Sequence, residues 1–128
     1  MTDAVSPHRP RGLTLGLGLA LALLLTAAPA VLAHAILLDA TPAAGAVASG
    51  PDVDVRLRFN SRIDGARSHL DLVLPDKQVR PLKLGAQDAP DTLTAKAAGL
   101  TPGAYRLRWQ VLAGDGHITR GEVPFKVK

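Results

Sequence analysis

The sequence predicts an all-β domain, a Greek-key sandwich of six to eight strands with an immunoglobulin-like shape. Three observations carry that expectation. Apolar and polar residues alternate with period two in "VDVRLRFN" (53–60), "SHLDLVL" (68–74) and "AYRLRWQV" (104–111), the pattern of strands with one face buried. No helical period is sustained after residue 34. "LTPGAY" (100–105) has the spacing of a tyrosine corner, in which a phenol hydroxyl bonds back to upstream backbone and pins a crossover between two sheets.

Residues 1–33 precede the domain and read as a secretory leader. "MTDAVSPHRPRG" carries Arg9 and Arg11, and an apolar run follows from Leu13 to Ala28. The segment closes on "PAVLA", which puts Val31 and Ala33 at the −3 and −1 positions that signal peptidase reads as small or compact. The run falls short of the roughly 20 apolar residues that span a bilayer, and Pro29 breaks it. Cleavage is expected after Ala33, dividing the chain into a signal peptide (1–33) and a single exported domain (34–128) in the periplasm.

The strands of that domain follow in order. Val53, Val55, Leu57 and Phe59 share one face of the first clear strand; Leu70, Leu72 and Leu74 share one face of the next. "PDKQ" (75–78) is turn chemistry and "VRPLKL" (79–84) returns from it. Pro81 has no N–H for a ladder, which assigns the return strand to an edge or a bulge. A weak strand is expected near Leu93–Ala97. Tyr105, Leu107, Trp109 and Val111 then point into the core, Tyr105 as the corner residue and Trp109 as an anchor. "GEVPFKVK" (121–128) supplies the last strand.

Composition narrows the function. From His34 onward, five Lys and eight Arg stand against nine Asp and one Glu, a net +3 that is scattered rather than clustered. With few aromatics, that pattern does not point to nucleic acid; a monomer is expected. Cysteine is absent, which removes disulfides, thiolate ligands and a thiol nucleophile. The one methionine is Met1, in the leader, so no thioether-rich copper(I) site is expected in the exported domain.

What remains is a histidine-based site. Cleavage after Ala33 makes His34 the terminal residue, whose free α-amine and ring Nδ1 close a six-membered chelate on a metal. "GDGHITRG" (114–121) places Asp115 and His117 two apart, and extended backbone projects such a pair to one side. Amine, two imidazoles and one carboxylate make an N3O set, and square-planar N,O ligation without sulfur favours Cu(II). Asp-Gly is also ordinary turn chemistry. His69 and Asp71 repeat the spacing on the face opposite the leucines and read as a solvated pair, while His8 lies in the leader.

Four stretches, "AHAILLDATPAAGA" (33–46), "VRLRFN" (55–60), "LTPGAYRLRWQVLAGDGH" (100–117) and the closing "GEVPFKVK", carry a resemblance over essentially the whole exported length. In them the sequence resembles the CopC family of periplasmic copper-binding proteins. The resemblance implies a Greek-key sandwich that binds one Cu(II) through His34, Asp115 and His117. It also implies a separate CopD-type inner-membrane copper transport protein as partner. Two departures stand out. The methionine-rich loop of members with a copper(I) site is missing. Asn60 and Ser61 occupy the place after the "LRF" strand where some members carry an acid.

The leading expectation is a non-enzymatic carrier or buffer for Cu(II). A copper oxidase or monooxygenase with a histidine brace shares part of the ligand set, but the short domain has no long loops to shape a substrate surface. A metal-free immunoglobulin-like interaction module is the third alternative, since fold does not fix function. No G-x-S-x-G elbow supports a hydrolase.

Overall fold

The computed structural model describes residues 34–128; the expected leader and its cleavage point lie outside the described residues. Eight strands form: β1 (Leu37–Thr41), β2 (Val47–Ala48), β3 (Val53–Phe59), β4 (Ile63–Val73), β5 (Val79–Pro81), β6 (Thr92–Ala97), β7 (Gly103–Ala113) and β8 (Ile118–Val127). They make a three-stranded sheet, β1-β3-β6, and a five-stranded sheet, β2-β8-β7-β4-β5. Every pairing is antiparallel except the short β2 on β8. Among the described residues there is no helix, and none long and apolar enough to cross a membrane.

The core lies between the sheets. β3 alternates strictly, with Val53, Val55, Leu57 and Phe59 buried and Asp54, Arg56 and Arg58 exposed. Its inward face meets Leu70, Leu72, Leu107, Val111 and Phe125 of the opposite sheet. Each such side chain contributes about 1.5–3 kcal/mol on burial, which is how a domain without cysteine holds together.

The tyrosine corner forms. The Tyr105 hydroxyl donates to the Thr101 carbonyl at 2.8 Å and accepts the Thr101 N–H at 3.1 Å. Trp109 is a core residue, 7 % exposed, with its ring edge-to-face on Phe59 at 5.1 Å. It needs space, and Gly121 provides it: a Cβ there would come within 2.4 Å of the indole. Pro81 sits on β5, an edge strand, as its missing N–H demands. His69 and Asp71 lie on the outer face, alternating with the buried Leu70 and Leu72.

Three strands, β4, β5 and β2, differ from the sequence expectation in ways that have a local cause. β4 starts five residues before "SHLDLVL", at Ile63, because a bulge between Asp64 and His69 interrupts the alternation. Ser68 is 4 % exposed in that bulge, where its hydroxyl donates to the Asp64 carbonyl and accepts the Leu112 N–H. β5 stops at Pro81, so "VRPLKL" is only half strand. β2 is two residues long, too short for a period to reveal it.

Candidate metal centre

The three candidate ligands converge at one end of the sandwich, and they come from both sheets. His34 stands just before β1 of the three-stranded sheet. Asp115 and His117 belong to the hairpin between β7 and β8 of the other. One donor atom from each lies within 4.8 Å of the other two, and all three residues are exposed. The His34 and His117 rings meet edge-on, with centroids 5.1 Å apart and planes at 81°.

Asp115 and His117 do not converge in the way their spacing implies. They are not on extended backbone. Gly116 between them has φ +86°, a left-handed conformation that glycine adopts without steric cost. The Gly116 N–H bonds to the Ala113 carbonyl, and the Ala113 N–H to the His117 carbonyl. This is a three-residue hairpin loop whose last residue is left-handed. The turn, and not a strand's pleat, folds Asp115 back over His117. Its Oδ1 accepts the His117 N–H at 3.0 Å, and its Oδ2 lies 3.1 Å from His117 Nδ1.

The β4–β5 hairpin serves as an internal control, because it repeats this turn. The Lys77 N–H bonds to the Leu74 carbonyl, the Leu74 N–H bonds to the Gln78 carbonyl, and Lys77 has φ +72°. Asp76 Oδ1 accepts the Gln78 N–H at 3.0 Å, just as Asp115 accepts that of His117. The aspartate-to-backbone bond is therefore turn chemistry common to both hairpins. What sets the β7–β8 turn apart is an imidazole where the other turn has Gln78, and a second imidazole facing it across the sheets.

The electrostatics follow from these bonds. The His117 backbone N–H holds the Asp115 carboxyl below its usual value of 3.8; partial desolvation opposes this, and the His117 ring bond and the charges of His117 and His34 reinforce it. The His117 ring stands with Nδ1 3.1 Å from Asp115 Oδ2, so imidazole and carboxylate face the same space. The side chains of His117 and Asp115 are 48 % and 22 % exposed, so an ion reaches them without any opening of the fold.

The donor set fits a borderline divalent ion. Two imidazoles and one carboxylate, without sulfur, suit Cu(II) or Zn(II) and not a thiophilic Cu(I). Donors on one ion, each at about 2 Å from it, lie at most about 4 Å apart. Separations up to 4.8 Å thus need only a small side-chain rotation to close.

Asn60 is the residue that sequence reasoning noted only as a departure and did not give a role. Its Oδ1 accepts the Ile36 N–H at 2.7 Å, and its own N–H donates to the Ile36 carbonyl at 3.0 Å, two residues from His34. The signal available was its position, directly after the last residue of the alternating β3.

The CopC domain model matches residues 37–128, a span that begins three residues after His34. Protein YobA of Escherichia coli is 33% identical over 114 residues, covering 85% of this chain and 92% of that one. Copper resistance protein C of Xanthomonas campestris pv. juglandis is 30% identical over 111 residues, covering 80% and 86%. A crystal structure of CopC from Methylosinus trichosporium OB3b superposes with a TM-score of 0.68 at 32% identity, over 74% of this chain and 94% of that one. The match over nearly all of the described sandwich, together with relatives of this identity and coverage, shows that the chain belongs to the CopC family.

Proposed function

We propose that the protein is an extracytoplasmic carrier or buffer that binds one Cu(II) ion and catalyses no reaction. In this reading export removes residues 1–33. His34 then supplies its α-amine and its ring, and Asp115 and His117 complete an N3O set. Copper is cargo here, received and passed on in the periplasm, with a CopD-type inner-membrane protein as the partner and a monomer as the working unit. The relatives named for copper resistance support the cargo. One observation carries the site: a histidine ahead of the first strand meets an aspartate–histidine turn of the opposite sheet, with donors within 4.8 Å.

The test is a titration of Cu(II) into two forms, one beginning at His34 and one with a single alanine before it. Tight one-to-one binding by the first and much weaker binding by the second is expected, because the extension turns the amine into an amide. Equal binding by both would refute the terminal-amine ligand. His117→Gln completes the test. Gln78 already occupies the matching place in the other hairpin, so the variant should fold with a stability change within about 0.5 kcal/mol and lose copper. A His117→Gln protein that binds copper like the parent would refute the site.

A further inference from the structure

The two halves of the metal centre are gripped by one short segment, the connection from β3 to β4. Its first residue, Asn60, holds Ile36 by two hydrogen bonds, from Ile36 N–H to Asn60 Oδ1 and from Asn60 N–H to the Ile36 carbonyl. Between Ile36 and His34, Ala35 is 2 % exposed and packs into the core. Both residues after His34 are therefore fixed, one by hydrogen bonds and one by burial. Two residues beyond Asn60, the Arg62 carbonyl accepts the Gly114 N–H at 2.9 Å, which holds the turn carrying Asp115 and His117.

The ladder alone does not do this work. β1 pairs with β3 at Leu37↔Phe59, but the register then shifts before Asp39↔Arg58, so the regular pairing breaks around Leu38. Ahead of that irregularity the Asn60 side chain supplies an acceptor that no backbone carbonyl of β3 supplies. Its bond to Ile36 is solvent-exposed, so it adds little to global stability, and its effect falls on where the preceding residue sits.

We infer that Asn60 is a positioning residue of the metal centre: through Ile36 it sets His34 against His117, while Arg62 of the same connection sets the opposing turn. The inference rests on the metal-binding reading for its consequence, though not for its geometry. Asn60 is not a ligand, because its Oδ1 is committed to the Ile36 amide.

The experiment compares the exported, purified protein with Asn60→Ala and Asn60→Asp. Asparagine-to-alanine deletes the Oδ1 acceptor; asparagine-to-aspartate keeps it, and both leave the backbone bond in place. In Asn60→Ala the Cu(II) dissociation constant is expected to rise about five- to tenfold, the worth of one hydrogen bond. Its electron paramagnetic resonance spectrum should broaden into more than one copper species, and its melting temperature should stay near that of the parent. Asn60→Asp is expected to restore the single species. A parent-like spectrum and affinity in Asn60→Ala would overturn the inference. So would a uniform loss of melting temperature in both variants, which marks a structural role only. A metal-free readout separates this from the proposed function. If the parent binds no copper, the nuclear Overhauser contact between the His34 and His117 rings still decides the matter. Its loss in Asn60→Ala, with faster exchange of the Ile36 amide, supports positioning, and its persistence overturns it.

Discussion

Gly116 and Lys77 hold the same left-handed place in two hairpins of one hydrogen-bond pattern, and exchanging their chemistry isolates the backbone's share of the site. Gly116→Ala puts a Cβ into open space, since nothing lies within 4 Å of it. The cost is then conformational alone: about 1–2 kcal/mol for a non-glycine residue in the left-handed region. The gain from a stiffer unfolded chain offsets about 0.4–1 kcal/mol of that. A net loss of about 1 kcal/mol is expected, lowering the melting temperature by roughly 4–8 °C for a domain of this size. Lys77→Gly runs the other way. It relieves a comparable strain and gives back the entropy term, for a net gain of about 0.5 kcal/mol. Urea titration followed by circular dichroism measures both, with an unchanged m-value showing that only stability has moved. Gly116→Ala should also weaken copper binding, and Lys77→Gly should leave it alone. Gly116→Ala as stable as the parent would refute the left-handed turn, and with it the account of how Asp115 folds over His117.

Two further outcomes test the core and the acid response. Gly121→Ala drives a Cβ to within 2.4 Å of the Trp109 ring; overpacking of this kind costs about 1–3 kcal/mol, and a shift in tryptophan fluorescence should accompany the loss, whereas an unshifted spectrum would contradict the packing. The Asp115 carboxyl is depressed below 3.8 in the fold, so its contribution is present above the unfolded value and disappears as pH falls through the folded one. As pH falls through and below 3.8 the metal-free Asp115→Asn protein should therefore lose less stability than the parent in denaturant titrations; equal losses would mean that the carboxylate is not held by His117.

Much of this architecture was legible because the informative residues obey simple periods. The alternation of β3 named its buried residues one by one, and "LTPGAY" announced a bond from the Tyr105 hydroxyl to upstream backbone, which the structure places at Thr101. Pro81 narrowed its strand to an edge or a bulge, and it lies at an edge. Legibility failed where the backbone departs from the period. The bulge at Ser68 hides the first half of β4, and β2 is too short to show any pattern. The convergence of the three candidate ligands was legible in the sequence, but not the way they converge. His34, Asp115 and His117 do meet, yet a glycine turn brings Asp115 to His117, where an extended strand was expected. Asn60 carried no role in the sequence because its partner is a backbone amide 24 positions away, and backbone partners leave no mark in side-chain chemistry.

The separation of core from site has a consequence for how a metal is handled. The continuous core runs from Ala35 to Val127 and is complete without His34, Asp115 or His117. A structural metal is built into the folding free energy, so its removal unfolds the domain. Here the three candidate ligands sit on the surface, one ahead of a strand and two on a turn that is closed by its own hydrogen bonds. An ion that enters or leaves crosses no core and breaks no ladder. On the proposed reading, binding should still stabilise the fold by mass action, because the ion would join the two sheets at one end, and the metal-free domain is expected to stay folded with His34, Asp115 and His117 close together. That arrangement suits cargo that is handed over: the free protein is already shaped for the next ion, and release costs only the ligand bonds themselves.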